Sequence, residues 1–201
     1  MDSTDAPDRF IAETDIAALA YAVQKCGPGD QAELRRMVPD SPPLVFYRLL
    51  LRHIPDAWNG PEKERAWAAI LQGMAMSALS KRRTGKQGDV HDKGQDKIHD
   101  PNLSLGKVLG QLFSESGQYR FWRLLQASDE TFYDLLRHSL RMLAQERQAV
   151  NWMDIARLCL LSGETRSECC RILARDFCSD QWKQPSNTPQ EQPGEEQGAA
   201  S

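Results

Sequence analysis

The sequence predicts an all-α fold of two small helical bundles that pack together. Strand signals are nearly absent, because no segment alternates apolar and polar residues while being rich in Val, Ile or Thr. Apolar residues instead recur at helical spacing along most of the chain. The 201 residues include 40% hydrophobic ones, which is enough apolar material for a core of this size. Proline and capping residues divide this pattern into separate helices.

The predicted N-terminal half, residues 13–80, contains four segments with helical periodicity. Asp30 stands three residues before Glu33, a spacing typical of a capping box at the start of the second helix. Pro42 and Pro43 suit the first turn of the third helix. The predicted helices are 13–25, 30–38, 44–54 and 61–80.

Residues 81–101 separate the two halves and predict a flexible polar loop. They are crowded with Lys, Asp, Gly, Gln and His and are almost free of large apolar side chains. Near its start Lys81, Arg82 and Arg83 are followed by Lys86, and such a basic arm is suited to phosphate contacts. A solvated loop without a ligand is the alternative interpretation.

The predicted C-terminal half spans residues 102–183. Ser104 is placed to cap its first helix, and Thr165 with Glu168 has the spacing of a capping box before its last helix. The predicted helices are 105–112, 118–126, 128–147, one that begins at 151, and one that ends near 177. Residues 1–12 predict a flexible acidic N-terminus, and the Pro, Gln, Glu, Gly and Ser of residues 184–201 predict a disordered tail.

The composition argues against membrane-spanning and secreted proteins. No stretch approaches the roughly 18 to 20 apolar residues of a transmembrane helix, and Asp2, Asp5 and Asp8 oppose the basic start of a signal peptide. The five cysteines lack CxxC spacing, so we interpret them as small apolar side chains in a reducing compartment. We expect a cytoplasmic protein with no membrane partner.

The charge is unevenly distributed along the chain. The net charge is −3, but residues 1–15 contain five acids and one Arg, and residues 185–201 contain three acids and no base. Without these two segments, 24 Lys and Arg stand against 20 Asp and Glu. A local basic surface decides whether a protein can bind phosphates, so a nucleic-acid partner stays possible despite the negative total.

Arginine recurs at helical spacing at several places. Arg137 and Arg141 are i,i+4 neighbours on one predicted helix, and Arg120 and Arg123 are i,i+3 neighbours on another. The planar guanidinium group suits phosphate, because it donates two parallel hydrogen bonds. Surface salt bridges with nearby acids are the alternative for each of them. Further candidates are Arg35, Arg36, Arg48 and Arg52.

Patterns for catalysis are weak. His91 and His99, each followed by Asp, could indicate a metal-dependent phosphohydrolase, but they lie in the predicted flexible loop, where rigid second-shell support is not expected. No GxSxG, GxxxxGK[ST] or GxGxxG pattern is present. The aromatic residues Trp67, Trp122, Trp152 and Phe132 are interpreted as core, and we expect no enzymatic activity, cofactor or metal.

Four blocks in order resemble the CasB family, the small subunits of the type I-E CRISPR Cascade interference complex. They are residues 29–36 with Pro43 and 46–49, residues 104–107, residues 116–125, and residues 135–137 leading to 150–152. The resemblance covers about residues 14–183. Asn151 stands where the family has Asp, and Gln118 and Tyr119 replace what is often a charged pair.

The resemblance implies a non-catalytic protein of two helical bundles within a CRISPR RNA-guided surveillance complex. Its partners would be the backbone and large Cascade subunits, a second copy of itself, CRISPR RNA and both strands of target DNA, with basic surfaces supporting the guide–target hybrid and the displaced strand. The positions that match are Arg35, Arg36, Arg48, Lys107, Arg120, Arg123 and Arg137. Spacing alone adds Lys81, Arg82, Arg83 and Arg141. A helical protein–protein adaptor without nucleic-acid contact is the rival hypothesis.

Overall fold

The computed structural model describes residues 10–82, 97–112 and 115–181, and in these ranges the regular structure is helical. The described ranges contain no strand, and extended backbone pairs only at two isolated bridges, Val38 with Ser41 and His99 with Val150. The all-α prediction is therefore confirmed. The helices are α1 (Glu13–Lys25), α2 (Pro28–Arg36), α3 (Leu44–His53), α4 (Glu64–Arg82), α5 (Leu105–Leu112), α6 (Glu115–Gln126), α7 (Asp129–Gln145), α8 (Trp152–Leu160) and α9 (Gly163–Gln181), with short 3₁₀ helices at Asp56–Trp58 and Pro61–Lys63.

The two predicted capping boxes are wrong, although the helices themselves are present. Helix α2 begins at Pro28, which occupies its first position, and Gly27 precedes it without a side-chain cap. Helix α9 begins at Gly163, whose φ of +57° is a conformation that favours glycine. Each helix thus begins two residues before the predicted cap, at a residue whose side chain cannot accept a capping hydrogen bond.

One hydrophobic core connects the two halves of the chain. Helix α4 contacts α1 and α2 on one side and α7 and α8 on the other. Its Trp67 is fully buried, as are Phe46 of α3, Trp152 of α8 and Phe177 of α9. The predicted halves therefore meet along α4, and these four aromatic side chains belong to one continuous core.

The predicted loop 81–101 differs from the structure at both ends. Helix α4 continues to Arg82, and the segment from residue 97 packs against the protein, with Ile98 only 1% exposed. The carbonyl of Ile98 accepts hydrogen bonds from the Val150 amide and from Nε1 of Trp152, at 3.3 and 3.0 Å. A buried indole N–H needs such an acceptor. Residues 83–96 lie outside the described ranges.

Helices α5 and α9 approach each other closely because α5 presents Gly106 and Gly110. A Cβ atom at Gly106 would lie 2.2 Å from the carbonyl oxygen of Leu173, and one at Gly110 would lie 2.9 Å from that of Phe177. At the start of α5 the Leu105 amide donates to the Asp154 carboxylate of α8 at 3.0 Å, while the Ser104 hydroxyl donates to Asp176. The cap of α5 is thus supplied by α8, and not by Ser104 as predicted.

Burial raises the pKa of Asp154, against the opposing effects of the Leu105 amide and the nearby Arg157 charge. Within the described ranges, no helix has the length and apolar character needed to cross a bilayer.

Candidate nucleic-acid interface

Helix α6 has one apolar face and one face of aromatic and basic side chains. It packs on α7 and buries Phe121, Leu124 and Leu125. Its exposed residues include Tyr119, Arg120, Trp122 and Arg123. Tyr119 has Trp122 at i+3 and Arg123 at i+4, and Arg120 has Arg123 at i+3, so these exposed positions lie around Arg123 on the part of the helix that is turned away from the core. No acidic residue occurs between residues 117 and 126.

The guanidinium group of Arg123 lies over the ring of Tyr119, with 5.9 Å between its central carbon and the ring centroid. This distance is typical of a cation–π contact. Tyr119 nevertheless stays 69% exposed. The arginine therefore orients the ring without covering most of it.

Helix α7 adds two further guanidinium groups next to α6. It buries Phe132, Leu136 and Leu140, and its other side includes the half-buried Arg137 and the exposed Arg141. In the part of the chain that the structure describes, no carboxylate forms an ion pair with Arg137 or Arg141, nor with the arginines of α6. Four cations on two contacting helices are thus available to a ligand. We call this set, Arg120, Arg123, Arg137 and Arg141, the α6–α7 basic surface.

The predicted positions on α2 and α3 have a different environment. Arg48 forms an ion pair with Asp30 at 2.6 Å between Nη2 and Oδ2, which joins the two helices and neutralises the charge locally. Nε of Arg36 donates to the carbonyl of Ala32 at 3.2 Å. Arg35 is half-buried, and its carbonyl accepts from Nε2 of Gln72 at 2.8 Å. These arginines therefore make more contacts within the protein than the arginines of the α6–α7 basic surface do.

The remaining predicted positions lie on other helices or outside the described residues. Lys107 is exposed on α5, whose main neighbours are α8 and α9. Lys81 and Arg82 are the last residues of α4. Arg83 falls outside the described residues. Four of the predicted residues therefore lie on the contacting helices α6 and α7, and the other described ones lie on α2, α3, α4 and α5.

One aromatic residue of α6 was wrongly assigned to the core. Trp122 was interpreted as core, yet it is 37% exposed, whereas Trp67, Trp152 and Phe132 are buried as predicted. The signal was present in the sequence, because Trp122 is at i+3 from Tyr119, whereas the buried Phe121 is at i+3 neither from Tyr119 nor from Arg120. The default assignment of aromatic residues to the core outweighed it.

Arg166 was also missed, and its contacts are structural. Its Nη2 donates to the carbonyl of Ala127 at 3.1 Å, and its Nε donates to the carbonyl of Leu158 at 3.2 Å. The guanidinium carbon lies 4.9 Å from the ring centroid of Phe132. The side chain thereby connects the turn between α6 and α7 to α8, and it helps to hold the two helices of the basic surface in place.

His99, the described histidine of the candidate metal site, makes contacts that stabilise the fold. Nδ1 of His99 accepts the Trp152 amide at 3.2 Å, so Nε2 carries the proton and lies 3.8 Å from the Glu13 carboxylate. Burial lowers the pKa of His99, while the charges of Glu13 and Asp100 oppose this shift. His91 and Asp92 fall outside the described residues, and among the residues described no three His, Cys, Asp or Glu side chains form a group that could hold a metal ion.

Three cysteine thiols have raised pKa values and are protonated at neutral pH. Burial raises the pKa of Cys169 to about 12, and it also raises the pKa values of Cys159 and Cys170. Because the thiolate is the nucleophile, such thiols are poorly reactive.

Fold and surface together define a small all-α protein that displays arginine and aromatic side chains on the outer side of a shared helical core. The particular family follows from comparison with family models. The model of CRISPR-associated protein Cse2 matches residues 30–177, and the chain belongs to this family. The resemblance to the CasB family found in the sequence is thereby confirmed.

Two solved structures share the fold. A chain in the crystal structure of E. coli Cascade bound to a PAM-containing dsDNA target is 22% identical, with a TM-score of 0.57 over 83% of this chain and 95% of that chain. CasB from Thermobifida fusca is 13% identical, with a TM-score of 0.54 over 82% of this chain and 94% of that chain. No curated protein sequence gives a significant match.

Proposed function

We propose that this chain is a non-catalytic small subunit of a CRISPR RNA-guided DNA surveillance complex. It would bind nucleic-acid backbone without sequence preference and thereby stabilise the guide–target hybrid and the displaced strand. Its partners would be the backbone and large Cascade subunits, CRISPR RNA, both strands of target DNA and a second copy of the chain. Membership of the Cse2 family supports the proposal, as does the shared fold with a chain of E. coli Cascade bound to a dsDNA target.

The α6–α7 basic surface is the observation that best supports nucleic-acid binding. Its four arginines lie on two contacting helices, and within the described ranges none of them is neutralised by a carboxylate. Solvent-exposed ion pairs contribute little to stability. An unpaired arginine that contacts a phosphate releases counterions condensed on the nucleic acid, which favours binding.

A few such contacts suffice for the proposed role. Guide RNA reads the target sequence by base pairing, so the protein needs only positive charge along the backbone. Exchange of a DNA duplex for a guide–target hybrid is nearly balanced in free energy. Phosphate contacts to the displaced strand therefore shift the balance toward the open state.

The assignment as non-catalytic is supported by how the described titratable groups are used. His99 accepts a backbone amide at the start of α8, Asp154 accepts one at the start of α5, and the thiol of Cys169 has its pKa raised by burial. Each of these groups stabilises the fold or is inert, and none is placed to act on a substrate.

The proposed protein partners have a candidate contact on α3. Leu44 and Leu51 are 80% and 71% exposed, and Tyr47 lies between them on the same side of the helix. Such a stripe of apolar side chains is typical of a protein interface. We infer that the α3 stripe, Leu44, Tyr47 and Leu51, contacts another subunit.

Measurement of DNA affinity over a series of salt concentrations tests the proposed nucleic-acid binding. The variant Arg137→Ala with Arg141→Ala should bind duplex DNA more weakly, and the slope of log K against log salt should fall in magnitude by about 0.9 for each lost phosphate contact. Arg171→Ala is the matched control, because Arg171 is exposed on α9 and forms an ion pair with Glu168. Circular dichroism of each variant checks the fold. An unchanged slope in the double variant would remove the α6–α7 basic surface from the binding site.

A helical adaptor without nucleic-acid contact is the second candidate function. The Arg48–Asp30 ion pair and the α3 stripe favour it, because both describe a surface suited to protein partners. The same salt series separates the two functions. If the purified protein binds no nucleic acid even at low salt, the adaptor function is favoured.

A further inference from the structure

The outer side of α6 contains more aromatic surface than phosphate binding requires. Tyr119 is 69% exposed and Trp122 is 37% exposed, and each is directly followed in the sequence by an arginine. Side chains that contact only phosphates need charge and hydrogen-bond donors. Exposed rings add a surface that can stack on the flat face of a nucleobase.

We propose that α6 binds unpaired nucleobases by stacking, with Tyr119 as the main platform, and that the ligand is single-stranded nucleic acid. This inference rests on the proposed function and identifies the class of nucleic acid that α6 binds. Trp122, at i+3 from Tyr119, contributes a second apolar surface. Arg120 and Arg123 contact the phosphates that adjoin the stacked bases.

The geometry around Tyr119 supports stacking. The guanidinium group of Arg123 lies over the ring at 5.9 Å from the centroid, so the ring orientation is already restrained before a ligand binds. A restrained platform loses less conformational freedom on binding than a freely rotating one. The exposed part of the ring is then available to a base.

Charge favours nucleic acid over a protein partner at this surface. Aromatic and arginine side chains are also enriched in protein interfaces, so composition alone does not separate the two. However, α6 has no acidic residue from 117 to 126, and the adjoining α7 adds Arg137 and Arg141 without a described ion pair. Asp134 of α7 is also exposed, but the four arginines outnumber it, and an excess of positive charge matches a phosphate chain.

Single strands are favoured over duplexes because a paired base is already stacked on its neighbours. The face of an aromatic side chain reaches a base only where the base is splayed out of the helix. Displaced target DNA and unpaired guide RNA both offer such bases. The shared chemistry is an unpaired base next to a phosphate.

The experiment compares three fluorescent ligands of equal length, about twelve nucleotides, within the range of site sizes for single strands. They are oligodeoxythymidine, an abasic strand with the same phosphates, and a duplex. Fluorescence anisotropy measures their affinities for the full-length protein and for Tyr119→Ala. We expect Tyr119→Ala to weaken oligodeoxythymidine binding roughly 5- to 150-fold, the effect of losing one stacked base. Abasic and duplex binding and the salt slope should stay unchanged.

Two further variants make the test specific. Tyr119→Phe retains the ring and should restore wild-type affinity. Tyr21→Ala is the matched control, because Tyr21 of α1 is 62% exposed and has Lys25 over its ring at 5.4 Å, the same i,i+4 arrangement on a helix outside the α6–α7 basic surface. It should bind all three ligands as the wild type does. Parallel titrations with oligouridine identify whether RNA or DNA supplies the preferred strand.

The possible failures are distinguishable. If the wild type binds the abasic strand as tightly as oligodeoxythymidine, and arginine variants still reduce the salt slope, the stacking inference is overturned while the proposed function stands. If the wild type binds none of the ligands, the proposed function itself fails. If Tyr119→Ala and Arg120→Ala both leave every affinity unchanged, α6 is a protein-binding surface and the inference is wrong.

Discussion

Replacement of Gly106 by alanine should destabilise this protein, against the usual effect of that substitution in a helix. Alanine is preferred over glycine inside helices by about 1 kcal/mol. At Gly106, however, the new Cβ would lie 2.2 Å from the carbonyl oxygen of Leu173 and 2.9 Å from Cβ of Asp176. The atom that blocks it is helix backbone and cannot rotate away.

The expected magnitude follows from how far α5 and α9 must separate. A carbon and an oxygen atom need to move apart by about 1 Å from this position to reach ordinary van der Waals contact. Overpacking of this kind costs typically about 1–3 kcal/mol. After subtraction of the helix preference, we expect Gly106→Ala to lower the free energy of unfolding by up to about 2 kcal/mol. In a chain of this length, that lowers the melting temperature by up to roughly 8 °C.

Urea unfolding followed by circular dichroism measures the effect. The control is Gly29→Ala, because Gly29 lies in α2 and a Cβ there would meet nothing within 4 Å. We expect this control to gain about 0.4–1 kcal/mol, from reduced entropy of the unfolded chain. Equal stabilisation by both substitutions would refute the close approach of α5 and α9.

The remaining predictions concern pH dependence and protein contacts. His99 has a lowered pKa in the folded state, so the unfolded state takes up its proton first as the pH falls through about 6.5, and stability is lost there by up to about 1.4 kcal/mol per pH unit. Urea unfolding at pH 7.5 and 5.5 should show that His99→Gln loses less unfolding free energy between these pH values than the wild type does. An identical loss in both proteins would show that His99 does not titrate on unfolding. His138→Gln, at an exposed position of α7, is the control. Leu44→Asp with Leu51→Asp should abolish assembly with purified backbone and large subunits on CRISPR RNA without lowering the melting temperature. Ile172→Asp, at a lone exposed apolar position of α9, should assemble normally, and normal assembly of the α3 variant would remove this stripe from the interface.

Local patterns predicted most of the fold. Periodic apolar residues predicted both α1 and α3, and both helices lie where the sequence placed them. The apolar stripe in each case is long enough to exclude a strand. All-α architecture followed from these patterns together with the lack of strand signals.

Contacts between distant segments were not predictable from local patterns. Ile98 stands in a polar stretch and has no periodic neighbours, yet it is buried, and its carbonyl accepts from the indole of Trp152, 54 residues later. The cap of α5 likewise comes from Asp154 and not from Ser104. Both depend on how α8 packs, which only the folded chain determines.

Part of the candidate site could be predicted in the same way. The spacing of Arg137 with Arg141, and of Arg120 with Arg123, places each pair on one helix face. Which arginines are neutralised was not predictable, since Arg48 finds its partner on another helix, at Asp30. Helix packing therefore decides which cations remain available.

This distribution of charge connects the fold to the proposed function. Exposed ion pairs occur between α2 and α3, within α9, and between Arg65 of α4 and Glu130 of α7. In those places opposite charges neutralise each other and contribute little to stability. The α6–α7 basic surface lacks such partners in the described structure, and its three exposed arginines cost folding little because water solvates them. The chain thus keeps a local positive potential despite a net charge of −3, and local potential, not total charge, attracts a phosphate chain.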